Sequence, residues 1–328
     1  MNWGLMKKNR MLEQASRLIH SARRPLLICH LSPDGDAIGS LVGLGRGLRQ
    51  LGLKPTLACP DPVPERFDYI TGVEEVVEDV HDPFDLVITL DCSDLERVAH
   101  LAQLPAFGQV PLLNIDHHVT NLQFGDVNLV DSSVSSTVEI VLWLLDYLAI
   151  SLDAELATCL LTGVVTDTRG FRTSNVTTQV METTLRLMNA GASLPYITQH
   201  ALDNRPTAAI LLWKEALTTL QVQDRMIWAS ISLDMRRTAG YMGNGDAGLV
   251  SFLVSASDAD VAAVFVERQD GRVEVGLRAV PGLDVAQVAL QLGGGGHTLA
   301  AGCSLPGSLA EVQSVVLPAL RALMRQSR

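Results

Sequence analysis

Four short apolar runs in the first third of the chain most narrow what it can fold into. They occupy residues 25–30 (PLLICH), 55–59 (PTLAC), 85–90 (DLVITL) and 110–115 (VPLLNI). Each has the length of a strand buried on both faces and is too short for a buried helix. Between the first two, residues 37–51 repeat apolar side chains at helical spacing and stop at Gly52. Residues 135–148 and 153–166 carry the same spacing. Strands alternating with helices predict βαβ units and a mainly parallel sheet flanked by helices.

Three of these runs end on chemistry. The first leads into His30, then Asp34 and Asp36; the third into Asp91; the fourth into Asp116, His117 and His118. Asp167 closes the apolar stretch 159–165 and is followed by Thr168-Arg169-Gly170-Phe171. In open parallel sheets, ligands bind beyond the carboxyl ends of the strands. Strands pointing one way therefore bring these groups to a single rim. One aspartate after a strand ordinarily caps a helix or forms a turn, and a lone histidine ordinarily sits satisfied in a core. Four separate segments each ending in Asp or His are harder to explain so. That many carboxylates on one rim repel, and cations relieve the repulsion. Carboxylates with imidazoles and no thiolate predict Mn²⁺, with Mg²⁺ the alternative, rather than a structural zinc. The number of donors predicts two divalent ions sharing a carboxylate, a pair that activates water and stabilises the attacking and leaving oxygens of phosphoryl transfer.

The rest of the chain changes character twice. Residues 175–220 read as helical, interrupted at Pro195 and Pro206. Residues 226–233 alternate apolar and polar like a strand. Residues 261–268 and 272–280 flank Gln269-Asp270-Gly271, where Asp-Gly predicts a hairpin with a type I′ turn. A helix over 284–292 leads into Gly293, Gly294, Gly295, Gly296 and His297, and a last helix covers 309–324. These elements predict a smaller, mixed α/β second domain. Glycines leave backbone N–H groups open to an anion. His297 can donate to a phosphate, and Arg278 can pair with one bidentately. Gly294, Gly295, Gly296, His297 and Arg278 are therefore the candidate substrate-binding residues. Arg169, Arg172 and Arg205 are weaker candidates; for Arg169 and Arg172, which follow Asp167 closely, a role at the substrate and a surface salt bridge stand as equal alternatives.

Composition sets outer limits. A chain of 328 residues is expected to hold two domains. Its net charge of −11 offers no basic stripe for tracking a long duplex, but leaves room for a small anion held by a few arginines and ions. The five cysteines show no CxxC spacing, against both a disulfide framework and a zinc site. No apolar run spans a bilayer, and the basic N-terminus lacks a signal-peptide core, so the expectation is a cytoplasmic protein with no membrane partner. Whether it forms a homodimer stays open.

The motifs also carry a resemblance. His30-Leu31-Ser32-Pro33-Asp34-Gly35-Asp36-Ala37-Ile38-Gly39-Ser40, then Leu90-Asp91-Cys92-Ser93-Asp94, Asp116-His117-His118 and Thr166-Asp167-Thr168 resemble the four motifs of the DHH phosphoesterase superfamily. Residues 292–302 (LGGGGHTLAAG) resemble the glycine-rich signature of its DHH-associated C-terminal domain. In length and layout the chain is most similar to the compact nano-RNases, oligoribonucleases that also dephosphorylate 3′-phosphoadenosine 5′-phosphate (pAp).

The resemblance implies a DHH domain over residues 1–192, a helical linker over 193–222 and a substrate-binding domain over 223–328, with the active-site cleft between the domains. It implies one ion at His30, Asp34 and Asp91 and a second at Asp36, Asp91, His117 and Asp167, with Asp91 bridging. His118 then faces the substrate phosphate as donor or general acid, and Asp116 orients an imidazole. The implied activity is hydrolysis of short oligonucleotides and pAp. Alternatives are a cyclic or linear dinucleotide phosphodiesterase, a RecJ-type single-strand exonuclease, and a nucleotide-binding module without catalysis; the intact ligand set speaks against the last.

Overall fold

In the computed structural model, which describes residues 3–326 except 82 and 244, and the side chains of 8–325 except 82, 244 and 297, the early apolar runs become strands of one sheet. The first unit, Met1–Asn204, contains α1 (Trp3–Ser21), β1 (Pro25–Cys29), α2 (Gly35–Gln50), β2 (Thr56–Ala58), β3 (Leu86–Leu90), β4 (Leu112–Asp116), β5 (Val127–Val130), α3 (Thr137–Tyr147), α4 (Ala154–Asp167), α5 (Thr178–Asn189) and α6 (Leu194–Thr198). The strand order is β2-β1-β3-β4-β5, and every neighbouring pair is parallel. The expected parallel sheet is thus present, with α1 and β5 added. β5 has little apolar signal because only Leu129 on it is deeply buried.

Burial on both faces explains why the strands read as continuous apolar runs. On β1, Leu27 and Cys29 join the core under α2, α3 and α4, whereas Leu26 and Ile28 join a smaller cluster on the other face with Val87, Val98 and Leu101. Side-chain alternation along a strand divides one apolar run between two cores.

Helices α2 and α4 pack unusually close. A Cβ on Gly39 would lie 2.4 Å from the carbonyl oxygen of Cys159, and one on Gly163 would lie 2.6 Å from Asp36 Oδ1. Without side chains at these two points, the helix that starts beside Asp36 and the helix that ends on Asp167 come together.

The second unit, Arg205–Arg328, contains α7 (Thr207–Leu217), β6 (Gln221–Gln223), β7 (Met226–Ile231), α8 (Leu233–Ala239), α9 (Leu249–Leu253), β8 (Val261–Glu267), β9 (Arg272–Ala279), α10 (Val285–Gln291), β10 (Gly295–His297), β11 (Ala300–Pro306) and α11 (Leu309–Gln326). Its sheet runs β10-β11-β9-β8-β7-β6, antiparallel except for the parallel pair β7–β8. On β9, Val273, Val275, Leu277 and Ala279 enter the core shared with α10 and α11, which puts Glu274, Gly276 and Arg278 on the opposite face. Of the segment 193–222, α6 packs on α4 in the first unit, and α7 packs on β7 and α8 in the second.

Two local expectations are corrected. The β8–β9 hairpin does not close with a type I′ turn, which needs positive φ at both central residues. Only Gly271 has it (φ 76°), and Arg268 donates to Arg272 O at 2.8 Å across a three-residue loop. This is the alternative hairpin, a type I turn followed by a left-handed glycine. The glycine run is not an open row of donors either. Gly293 N–H donates to Leu290 O at 3.1 Å and Gly294 N–H to Ala289 O at 2.8 Å, capping α10, while Gly295 and Gly296 pair with β11. Among the described residues, no helix is long and apolar enough to cross a membrane.

Candidate metal centre

Strand register sets the site. Cys29 pairs with Leu90, and Leu90 with Ile115. The next residue on each of the first two strands, His30 and Asp91, and the last residue of β4, Asp116, therefore emerge side by side. The order β2-β1-β3 reverses direction at β1, so the gap between β1 and β3 is the topological switch point where such sheets bind ligands. Asp91 itself takes a left-handed conformation (φ 60°), which turns the chain sharply at the end of β3.

Three groups of donor atoms gather there, each with its members within 4.8 Å of one another: His30, Asp34 and Asp91; Asp36, His117 and Asp167; Asp91, His117 and His118. His30 Nε2 lies 3.4 Å from Asp91 Oδ2 and 3.9 Å from Asp34 Oδ1. His117 Nε2 lies 3.2 Å from Asp167 Oδ2, 3.8 Å from Asp91 Oδ1 and 3.9 Å from Asp36 Oδ2. Asp91 and His117 each belong to two groups, so the groups form one continuous cluster. These donors fit hard divalent cations, which take oxygen and imidazole ligands. The cluster is also short of positive charge: among the described residues, the ion-pair partners of Asp34, Asp36, Asp91, Asp116 and Asp167 are histidines.

Each donor is held from behind. His30 Nδ1 lies 2.7 Å from Leu31 O, a contact that keeps a proton on Nδ1 and turns Nε2 toward Asp91 and Asp34, where the neutral ring would offer its lone pair to a cation. Asp34 caps α2 through Oδ1, accepting from Asp36 and Ala37 N–H at 3.0 and 3.1 Å. Asp36 accepts from the first N–H groups of α3, Thr137 at 2.6 Å and Val138 at 3.0 Å, where the helix dipole favours negative charge. Thr137 Oγ1 donates to Asp91 Oδ1 at 2.8 Å. Asp116 lies 2.7 Å from His118 Nδ1 through Oδ1, and its Oδ2 accepts from Asn121 Nδ2 at 2.5 Å. Sequence reasoning missed Thr137 and Asn121. The only signal for Thr137 is the polar triplet Ser135-Ser136-Thr137 ahead of an apolar helix.

The cluster divides its charge unevenly in the absence of ions. Burial, reinforced by Asp91, pushes the carboxyls of Asp36 and Asp167 well above the usual range. Burial opposes ionisation of Asp91 as well, yet the hydrogen bond from His30 and the charges of His30, His118 and His117 hold it below that range. Burial lowers the tendency of His118 to protonate, but Asp116, Asp91 and Asp167 outweigh it and raise its pKa to about 9.

The substrate-binding candidates lie in the second unit. Register places His297, Ala300 and Arg278 in one row across β10, β11 and β9; the side chain of His297 lies outside the described residues. Arg278 Nη1 donates to Leu277 O at 2.9 Å and lines a cavity of about 470 Å³ with Glu274, Gly276, Gly302 and Ser304.

Comparison with known proteins matches both units. The DHH family, N-terminal domain, matches residues 25–164, and the DHHA1 domain matches residues 240–326. A bifunctional oligoribonuclease and PAP phosphatase NrnA from Thermus thermophilus is 33% identical, over 93% of this chain and 92% of its own. The protein of the same name from Bacillus subtilis is 28% identical over 84% and 87%. Among solved structures, an exopolyphosphatase-related protein from Bacteroides fragilis superposes with a TM-score of 0.90 at 22% identity, covering 97% of this chain and 98% of its own. RecJ from Thermus thermophilus superposes with a TM-score of 0.58 at 17% identity, covering 96% of this chain but 55% of RecJ.

Proposed function

Since the chain belongs to the DHH family and joins that domain to a DHHA1 domain, we propose that it hydrolyses phosphate esters of oligonucleotides a few residues long and of pAp. The observation that carries the reading is the continuous donor cluster at the β1–β3 switch point. The names of its relatives supply the substrate class.

His30, Asp34 and Asp91 would hold one divalent ion, and Asp36, Asp91, His117 and Asp167 a second. Mn²⁺ is the proposed metal, because two imidazoles join the carboxylates. Bound ions supply water activation and neutralise phosphate charge. The protein's own groups do the rest. Thr137 and the N-terminus of α3 fix Asp91 and Asp36, so these carboxylates need not reorganise during turnover. His118 is held by Asp116 through Nδ1, which leaves Nε2 to deliver a proton to the leaving oxygen. In the second unit, Arg278 and His297 are assigned to recognition of the rest of the nucleotide, and Gly294, Gly295 and Gly296 beside them to a backbone free of side chains rather than a row of open N–H donors.

The test is a Mn²⁺-supplemented turnover assay on pAp, linear dinucleotides, cyclic dinucleotides and a long single strand. The expected ranking puts pAp and linear dinucleotides first. A higher kcat/KM on the long strand would favour the RecJ-type reading, and preference for the cyclic substrate would favour a cyclic dinucleotide phosphodiesterase.

A further inference from the structure

Just past Asp167 the chain is left-handed three times in succession, at Arg169 (φ 49°), Gly170 (φ 69°) and Phe171 (φ 65°). Arg169 N–H donates to Thr166 O at 3.0 Å and Gly170 N–H to Val165 O at 2.7 Å. These paired bonds close α4 with a left-handed residue just beyond its cap, a position where glycine costs least. Gly293 performs this closure on α10. Ala149 does so on α3 (φ 54°), so a non-glycine there has no functional meaning by itself.

Three further observations set Arg169 apart. It lies two residues from the Asp167 carboxylate, which contacts His117. It is exposed, and its guanidinium has no hydrogen-bond or ion-pair partner among the described residues. And its mount is rigid. Thr168 Oγ1 donates to Val164 O at 2.6 Å and accepts from Phe171 N–H at 3.0 Å, while Arg172 N–H donates to Thr168 O at 2.8 Å. Phe171 packs against the apolar core, and Leu202 lies 3.2 Å from where a Cβ on Gly170 would stand. Among the described residues, no carboxylate pairs with this arginine in a surface salt bridge.

A phosphate approaching this cluster meets carboxylates whose ion-pair partners, among the described residues, are histidines. The geometry points to Arg169 as a phosphate-binding residue, whose guanidinium grips the non-bridging oxygens of the reacting phosphate. The planar fork of an arginine suits that task. This role rests on the phosphoesterase reading above. It also gives a reason for an arginine at a site that glycine would fill with less strain.

The variants Arg169→Gly and Arg169→Lys test it. Relief of the left-handed conformation should raise the Tm of Arg169→Gly by about 2 °C. Its Kd for pAp, measured by calorimetry with Ca²⁺ in place of the activating ion, should weaken about tenfold or more, with metal content unchanged. Arg169→Lys should recover part of the affinity without the gain in Tm. Equal Kd values for wild type and Arg169→Gly, including no binding by either, would overturn the assignment, as would a fall in Tm or loss of metal. Turnover of pAp and dinucleotides by the wild type reports separately on the phosphoesterase reading. A wild type that binds pAp without hydrolysing it would refute that reading and leave the test of Arg169 intact.

Discussion

Replacing Gly39 by alanine sets two effects of opposite sign against each other. In a helix interior, Gly→Ala by itself stabilises by about 0.5–1 kcal/mol. Here the new Cβ would stand 2.4 Å from Cys159 O and 3.3 Å from Gly163 N. Carbon–oxygen contacts settle at about 3.3–3.6 Å, so α2 and α4 would have to part by roughly 1 Å. Overpacking costs about 1–3 kcal/mol, and an obstacle made of backbone, which cannot rotate away, belongs at the upper end. The net expectation is a loss of about 2 kcal/mol. The shift should also spread Asp36 from Asp167, which now lie 3.9 and 3.2 Å from His117 Nε2. Urea unfolding followed by circular dichroism measures the first effect, and Mn²⁺ titration the second. Gly43→Ala is the control: its nearest neighbour is the flexible end of Leu160 at 3.1 Å, so it should be close to neutral. A Gly39→Ala protein more stable than wild type would show that helix propensity wins and that the helices are not in tight contact.

Three other outcomes follow from the cluster. Asp91→Ala should abolish turnover and lower metal stoichiometry, because Asp91 belongs to two of the donor groups; near-normal activity with unchanged metal content would refute a shared carboxylate. His118→Ala should keep its metal, measured by elemental analysis, and slow turnover by about 10²–10⁴-fold as an acid–base group does; loss of an ion would make His118 a ligand instead. Protein stripped of ions by chelation should lose stability as pH rises from about 6.5 to about 9. His118 has its pKa raised to about 9 from 6.5, so its contribution is complete below the lower value and lost through the upper one. The raised carboxyls of Asp36 and Asp167 add a loss of the same sign as pH rises above the ordinary carboxylate range, and a flat or rising Tm from about 6.5 to about 9 would contradict the role of His118.

The strand ends that carry the donor cluster were legible because two signals coincide on them: an apolar run fixes the strand, and the residue after it is an Asp or His. Thr137 and Asn121 were not, because each works through a contact with a residue distant in sequence or through a carboxylate already assigned another role. Thr137 read as part of a helix start, and that reading is locally true; its bonds to Asp36 and Asp91 arise only when α3 packs against α2 and β4. The Asp-Gly pair at 270–271 fits loops of two or three residues, and strand register rather than turn chemistry decides between them. In the glycine run, α10 reaches far enough to use the N–H groups of Gly293 and Gly294 for its own closure, a competition that composition does not show.

The anchoring of Asp36 by the first two N–H groups of α3 bears on the order in which the protein is assembled. Small metal-dependent modules often remain unfolded until their ion arrives, because nothing else balances the converging charges. Here a helix terminus supplies part of that balance, and the raised proton affinity of Asp36 and Asp167 supplies more. The polypeptide is therefore able to reach its native architecture first and acquire ions afterwards, exchanging protons for them. Loading then becomes a reversible step that acidification opposes, and a chelator should return the protein to a folded, reloadable state rather than destroy it.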